Sequence, residues 1–137
     1  MGEVRIKVKL TNAIDEGLAR RGKLSEGEIR TYEADALVDT GAVSSVVPFN
    51  VMKQLGLYSI GSRVAEYADG RKDKVDLTEP IKFDIIGRET IESAMVLGDE
   101  VIIGQTILEV LDLLVDCNNR KVIPNPAHPD QPVVKVK

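Results

Sequence analysis

The chain holds a single cysteine, Cys117, so an internal disulfide is excluded. It holds a single histidine, His128, in Pro126-Ala127-His128-Pro129, and that setting reads as an exposed loop. With one of each, no Cys/His cluster has metal-ligand spacing, and no metal or other cofactor is expected. A Ser-His-Asp or Cys-His hydrolase, for example one using Ser44 or Ser45, would have to recruit this one badly placed histidine. Neither sign of charge dominates: 18 basic against 22 acidic residues leave a net charge of -4, which gives no reason to expect nucleic acid as a partner. No apolar run approaches membrane-spanning length, and Met1-Gly2-Glu3-Val4-Arg5-Ile6 lacks the apolar core of a signal peptide. Position 6 is Ile6, where a myristoylation motif wants Ser or Thr. No membrane partner is expected, and a cytoplasmic protein is the default. Low-complexity stretches and linkers are absent too, so residues 1–137 are expected to form one domain, large enough to bury a core.

What is present is a succession of short strand signals. Val4, Ile6, Val8 and Leu10 alternate with Arg5, Lys7 and Lys9, as in a half-buried strand. Residues 12–28 are polar and glycine-bearing, and read as a long connection with a short helical turn around Asp15 to Arg21. A second strand runs from Ile29 to Val38, with Tyr32, Ala34, Ala36 and Val38 on one face. Ser45-Val46-Val47 is a third; Pro48 then opens a short helix whose buried side is Val51, Met52 and Leu55. Tyr58 to Tyr67 and Arg71 to Leu77 form the arms of a hairpin with Ala68-Asp69-Gly70 at its tip. Ile81, Phe83 and Ile85 alternate in the next strand, and Thr90 to Leu97 form another. Val101-Ile102-Ile103 is a short apolar strand stopped by Gly104. Thr106 and Glu109 have capping-box spacing for a second helix carrying Ile107, Leu108, Leu111 and Leu114 on one face. The tail ends in Val133-Val134-Lys135-Val136-Lys137, an alternating segment expected to pair with the N-terminal strand or with a second subunit. An apolar strand, a glycine turn and a helix occur at 36–56 and again at 101–114, as two half-units related by a local two-fold would produce.

One acid stands out. Ala36-Leu37-Val38 is apolar on both faces and runs directly into Asp39, so the carboxylate is expected to be partly desolvated. Thr40 adds a hydroxyl and Gly41 a residue that lets another backbone approach. Asp, Thr and Gly are also ordinary turn residues. The second element, Val101-Ile102-Ile103-Gly104, follows after the hairpin and again opens a helix.

Together, Ala36-Leu37-Val38-Asp39-Thr40-Gly41-Ala42, the hairpin around Ala68-Asp69-Gly70, and Val101-Ile102-Ile103-Gly104-Gln105 resemble the retropepsin family of aspartic peptidases over residues 29 to about 117. The whole chain, including Val122-Ile123-Pro124-Asn125-Pro126-Ala127-His128-Pro129, looks like small one-domain bacterial members of the same clan. The resemblance implies an all-β, retropepsin-like acid protease fold: a closed or bent β-sheet core with two short helices, assembled as a two-fold dimer. It implies Asp39 as the catalytic carboxylate, supported by Thr40, Gly41 and Ala42. Thr40 would hydrogen-bond across the dimer axis, and Gly41 would offer its carbonyl to substrate. Tyr67, Ala68, Asp69 and Gly70 would form the tip of a flap over an extended peptide or protein substrate.

Aspartic peptidases work with two carboxylates that share one proton, because like charges about 3 Å apart cannot both ionise. This chain has one Asp-Thr-Gly, so a dyad requires Asp39 from each of two copies, and a homodimer is the implied partner state. In many viral members an Arg after the second Ile-Ile-Gly pairs with an acid soon after Asp-Thr-Gly-Ala. Here Gln105 stands in the first place and Val43-Ser44-Ser45 hold no acid. The rival reading is a weak or inactive retropepsin-like module that binds peptides or acts as a scaffold.

Overall fold

The computed structural model describes residues 2–137. Strand β1 (Val4–Asn12) is the centre of one end of the molecule: it lies between β2 (Thr31–Val38) and β6 (Ile81–Ile85), antiparallel to both. The alternation along β1 puts Val4, Val8 and Leu10 in the core and leaves Arg5, Lys7 and Lys9 outside. On the outer face Lys7 stands opposite Asp35, and Lys9 opposite both Glu33 and Asp84, so each cross-strand pair joins opposite charges. On the inner face Ile81, Phe83, Ile85 and Leu10 are fully buried, each contributing about 1.5–3 kcal/mol of apolar burial.

The remaining strands are β3 (Val46–Val47), β4 (Ser59–Glu66), β5 (Lys72–Thr78), β7 (Arg88–Glu92), β8 (Met95–Val96) and β9 (Ile102–Ile103). They complete a nine-stranded sheet in the order β4-β5-β8-β3-β9-β2-β1-β6-β7. The sheet is curled like half a barrel and retains two edges, β4 and β7, so it is bent rather than closed. Its middle is unusual in mixing directions: β2 runs parallel to β9 and β3 parallel to β8, while β3 and β9 are antiparallel. The two strand–turn–helix units read in the sequence thus meet at the centre of the sheet. Their helices, α2 (Phe49–Gln54) and α3 (Gln105–Val110), bury Val51, Met52, Ile107 and Leu108 against it. No helix among the described residues is long and apolar enough to cross a membrane.

Several expectations need correction. Among the described residues there are three α-helices, and a short 3-10 helix at Glu26–Glu28, where two short helices were expected. The connection at 12–28 contains α1 (Ala13–Arg20), a two-turn helix whose N-terminus is capped by the Asn12 side chain accepting from Ile14 N and Asp15 N. It is moored by Asp15, a buried carboxylate that takes three bonds from Arg30: from the backbone N at 3.0 Å, from Nε at 2.8 Å and from Nη2 at 2.9 Å. The run 90–97 divides at Ser93-Ala94, where Thr78 holds the chain through Ala94 N to its Oγ1 and its own N to Ala94 O. The first part is then an edge strand and the second an interior one. Helix α3 ends at Val110 rather than Leu114, because Asp112 adopts a positive φ of 56° and turns the chain into β10 (Leu113–Asp116), which pairs with β11 (Lys121–Pro124). Thr106 does not form a capping box with Glu109; its hydroxyl donates to Glu92 instead, and Gly104 is the N-cap.

The tail also departs from expectation. Residues 133–137 are not a strand, and β1 has both its partners within the chain. His128 is no free loop residue: its Nδ1 lies 2.6 Å from Asp112 Oδ2, and its ring is about two-thirds buried. Asn125 Nδ2 and Val133 N also donate to the Asp112 carboxylate. Buried Arg88 donates to the carbonyls of Leu111, Asp112 and His128. These bonds, that from Asn125 foremost, hold the Asp112 carboxyl below its ordinary range.

The Asp15–Arg30 pair gives a test. The Arg30 guanidinium holds the Asp15 carboxyl below its ordinary value. A depressed folded-state value means stabilisation that is present above the usual carboxylate range near pH 4 and is lost as the pH falls through the depressed value. Asp15→Asn should therefore lower stability at pH 7 by about 1–3 kcal/mol and flatten the acid limb of stability against pH, read by urea unfolding across pH.

Candidate active site

Strand β2 carries its apolar end, Leu37 and Val38, alongside Ile102 and Ile103 of β9, and the chain leaves the sheet at Asp39. Four hydrogen bonds then fasten the turn 39–45 to the start of α3. Asp39 N donates to Ile103 O at 3.0 Å, and Gln105 N donates to Ala42 O at 2.7 Å. Thr106 N donates to Val43 O at 3.1 Å, and Gly104 N donates to Ser45 Oγ at 3.1 Å. Ser45 is completely buried, so it is a bracket for the turn and not a nucleophile. Within the turn, Gly41 N donates to Asp39 Oδ1 at 2.9 Å and Ala42 N to Asp39 O at 3.1 Å. The carboxylate is thereby aimed by its own loop.

The fastening depends on Gly104 having no side chain. A Cβ there would lie 2.6 Å from Ser44 O and 2.9 Å from Val43 O, both backbone atoms in a bonded turn. Its φ of -91° is open to any residue, so the requirement is for space alone. Gly104→Ala should lower stability by about 1–3 kcal/mol in denaturant unfolding, through overpacking. Gly27→Ala, where an added Cβ meets nothing within 4 Å, should change it by no more than ~0.5 kcal/mol.

Asp39, Thr40 and Gly41 are exposed in the single chain, and Ala42 is half-buried. The expected partial desolvation of Asp39 is therefore not present within one copy: the apolar run that precedes it is paired inside the sheet, but the acid itself emerges at the surface. It does so on the floor of a groove of about 850 Å³. Asp39, Gly41, Ala42, Val43 and Ser44 line one side, and the β4 arm with the hairpin tip, Arg63 to Ala68, lines the other. Met95 and Leu97 fill the end. The groove is apolar apart from Asp39, Ser44, Arg63, Glu66 and Tyr67.

The hairpin joins the sheet at its base. Strand β5 pairs with β8 through Leu77 and Met95, and beyond that point Ala65 is the one buried residue of β4. An arm with so few buried apolar contacts is a low-stability element, able to open without disturbing the core. At its tip Gly70 has φ of 87°, Gly70 N donates to Tyr67 O, and Tyr67 N donates to Arg71 O. Asp69 accepts from Arg71 N and Nε, and the Arg71 guanidinium lies 4.6 Å from the Tyr67 ring centre. A bond to Asp73 pushes the Tyr67 hydroxyl above its ordinary value. So Tyr67 and Ala68 do line the groove with Asp39, whereas Asp69 and Gly70 build the turn behind them.

Arg63, Val64 and Ala65 also line the groove and were not singled out in the sequence. The alternation of β4 puts Arg63 and Ala65 on one face, but no sequence signal marked Val64 as a lining residue. The Gln105 side chain donates to Glu109 within α3 at 3.1 Å.

No protein-family model matches the sequence, and no curated protein matches it. Among solved structures the chain is similar to the foamy viral protease-reverse transcriptase, solved in complex with an RNA/DNA hybrid. The TM-score is 0.50 at 18% sequence identity. The match covers 77% of this chain and 11% of that one, so it concerns a small part of the viral protein. At this identity the likeness speaks for fold, and with the curled sheet and the mixed-direction centre it makes this chain an all-β protein of retropepsin-like fold.

Proposed function

We propose that the protein is an aspartic endopeptidase that cleaves extended peptides at a dyad formed by Asp39 from two copies of the chain. The observation that carries this reading is the position of Asp39: at the end of a rigidly bracketed turn, on the floor of a groove roofed by a loosely held hairpin. The likeness in fold to a viral protein named as a protease supports it.

The chemistry needs no group that the chain lacks. In the dimer the two Asp39 carboxylates face each other across the two-fold axis and share one proton. The ionised member takes a proton from a water placed between them. The protonated member hydrogen-bonds the scissile carbonyl oxygen, and the water adds to give a tetrahedral intermediate. Gly41 N, donating to Oδ1, fixes the carboxylate's orientation before substrate arrives. Thr40, exposed beside Asp39, is free to bond across the axis, and the Gly41 carbonyl to accept from the peptide. The hairpin tip closes over the peptide, removes water and strengthens the electrostatics of the dyad. In this account the surface exposure of Asp39 is a property of the unpaired copy.

One observation favours a second reading, a peptide-binding or scaffold module with little turnover. Gln105 turns back onto Glu109 and cannot form the ion pair that braces the Asp-Thr-Gly turn in many viral relatives. The four brackets described above, three between backbone groups and one to the Ser45 hydroxyl, take over that role here, which favours catalysis.

Asp39→Asn should keep the fold and lose cleavage of a peptide library by at least about 1000-fold, as expected when the base of a dyad is removed. Residual cleavage near the parent rate would sink the proposal. The parent rate should follow a bell against pH, because one carboxylate of the pair must be ionised and the other protonated. Sedimentation at micromolar concentration should show a dimer, alone or with an added peptide analogue; a monomer under both conditions would count against the mechanism.

A further inference from the structure

The hairpin carries a guanidinium with no acid to meet. Arg71, at the tip, is paired with Asp69 and stacked on Tyr67. Arg63, on the β4 arm, forms no ion pair among the described residues; its one bond is from Nη1 to the neighbouring Ser62 O at 3.0 Å. Its direction follows from strand alternation. Ala65, two residues on, is 7% exposed, so that face of β4 turns toward the molecule; Arg63 shares this face but is itself exposed, at the rim of the groove. Its cross-strand partner, Val75, is half-buried on the same underside. Val64 and Glu66 alternate to the opposite face, and Val64 is 66% exposed.

Arg63 is therefore the cation that lines the groove from above, with most of its five N–H donors unused. The acids around it are accounted for. Asp73, the cross-strand partner of Ala65, pushes the Tyr67 hydroxyl above its ordinary value and forms no ion pair with Arg63. Glu66 alternates to the other face of β4 and, although it too lines the groove, forms no ion pair with Arg63; Asp39 is held by the Gly41 amide. The rest of the hairpin side of the groove is Val64, Ala65, Glu66, Tyr67 and Ala68, none of which carries a positive charge.

We propose that Arg63 is a specificity residue that selects peptides carrying an acidic side chain, Glu or Asp, at the position lying beneath the β4 arm. This rests on the reading of the groove as a peptide site. A carboxylate there would form a charge-assisted, two-pronged bond with the guanidinium, while a Lys would face like charge. In a two-fold dimer the second Arg63 sits at the equivalent place across the axis, so an acidic preference is expected on each side of the scissile bond.

The test is peptide binding to the Asp39→Asn protein, which holds peptides without turnover, alongside cleavage by the parent. Extended peptides with an apolar centre would carry Glu, Gln or Lys at each flanking position in turn. At one position on each side, Glu should bind about tenfold tighter than Lys, the size of one charge-assisted bond, and the ratio should shrink with added salt. Adding Arg63→Gln should bring the ratio near one, and Arg63→Glu should invert it. A Glu-to-Lys ratio that is the same in all three proteins would overturn the proposal, as would failure of every peptide to bind. If the ratios behave as expected while the parent cleaves nothing, the specificity assignment stands and the endopeptidase reading falls.

Discussion

Everything about this site depends on two backbone turns being pressed together. The turn that follows β2 and the turn that opens α3 lie so close that Gly104 has no room for a Cβ, with the Ser44 carbonyl 2.6 Å from where it would stand. That proximity lets the amides of Asp39, Gly104, Gln105 and Thr106 all find acceptors across the gap. Backbone that would otherwise be an unsupported surface loop is tied by hydrogen bonds to the sheet centre beside it. An acid placed on such a turn is held in one orientation, and this is what a two-carboxylate mechanism requires of each of its halves.

The same constraint explains the division of the molecule into a firm part and a loose one. The core of β1, β2, β6, α2 and α3 is filled with fully buried aliphatic and aromatic side chains and supports the bracketed turns from behind. The hairpin β4–β5 pairs with the rest of the sheet at its base, through Leu77 and Met95. A firm floor beneath a lightly buried hairpin is what the proposed peptide site would need. Both arise here from a difference in burial alone: β4 carries one buried residue, whereas every alternate residue of β6 is buried.

Much of this was legible in the sequence, and the reason is local. Alternation at Val4 to Leu10 and at Ile81 to Ile85, the proline-led helix with Val51, Met52 and Leu55, and the Asp-Gly hairpin each state their structure within a few residues. The Asp39 turn and the Val101 to Gly104 strand were legible as a pair because both are apolar strands ending in a glycine turn. What failed was decided by distant partners. Leu111 and Leu114 have helical spacing, but Asp112 takes a left-handed conformation and is held by Asn125, His128 and Val133 from the tail. His128 looked like a loop residue because its partner lies 16 positions earlier. The alternating Val133 to Lys137 segment has strand propensity, yet no edge of its own chain pairs with it. Asp39 itself shows the limit most clearly: the apolar approach to it predicted burial, and one copy of the chain leaves it exposed.

The central claim is that the site is shared between copies, and subunit exchange tests it most directly. Parent protein at fixed amount would be mixed with an equal amount of Asp39→Asn protein, allowed to exchange, and assayed on one peptide. If each dyad takes one Asp39 from each of two chains, mixed dimers are inactive and the activity should fall to about half, since random pairing leaves about a quarter of all dimers as parent pairs. Activity that stays equal to that of the parent alone, with exchange verified by labelled subunits, would show that one chain suffices and would contradict the account.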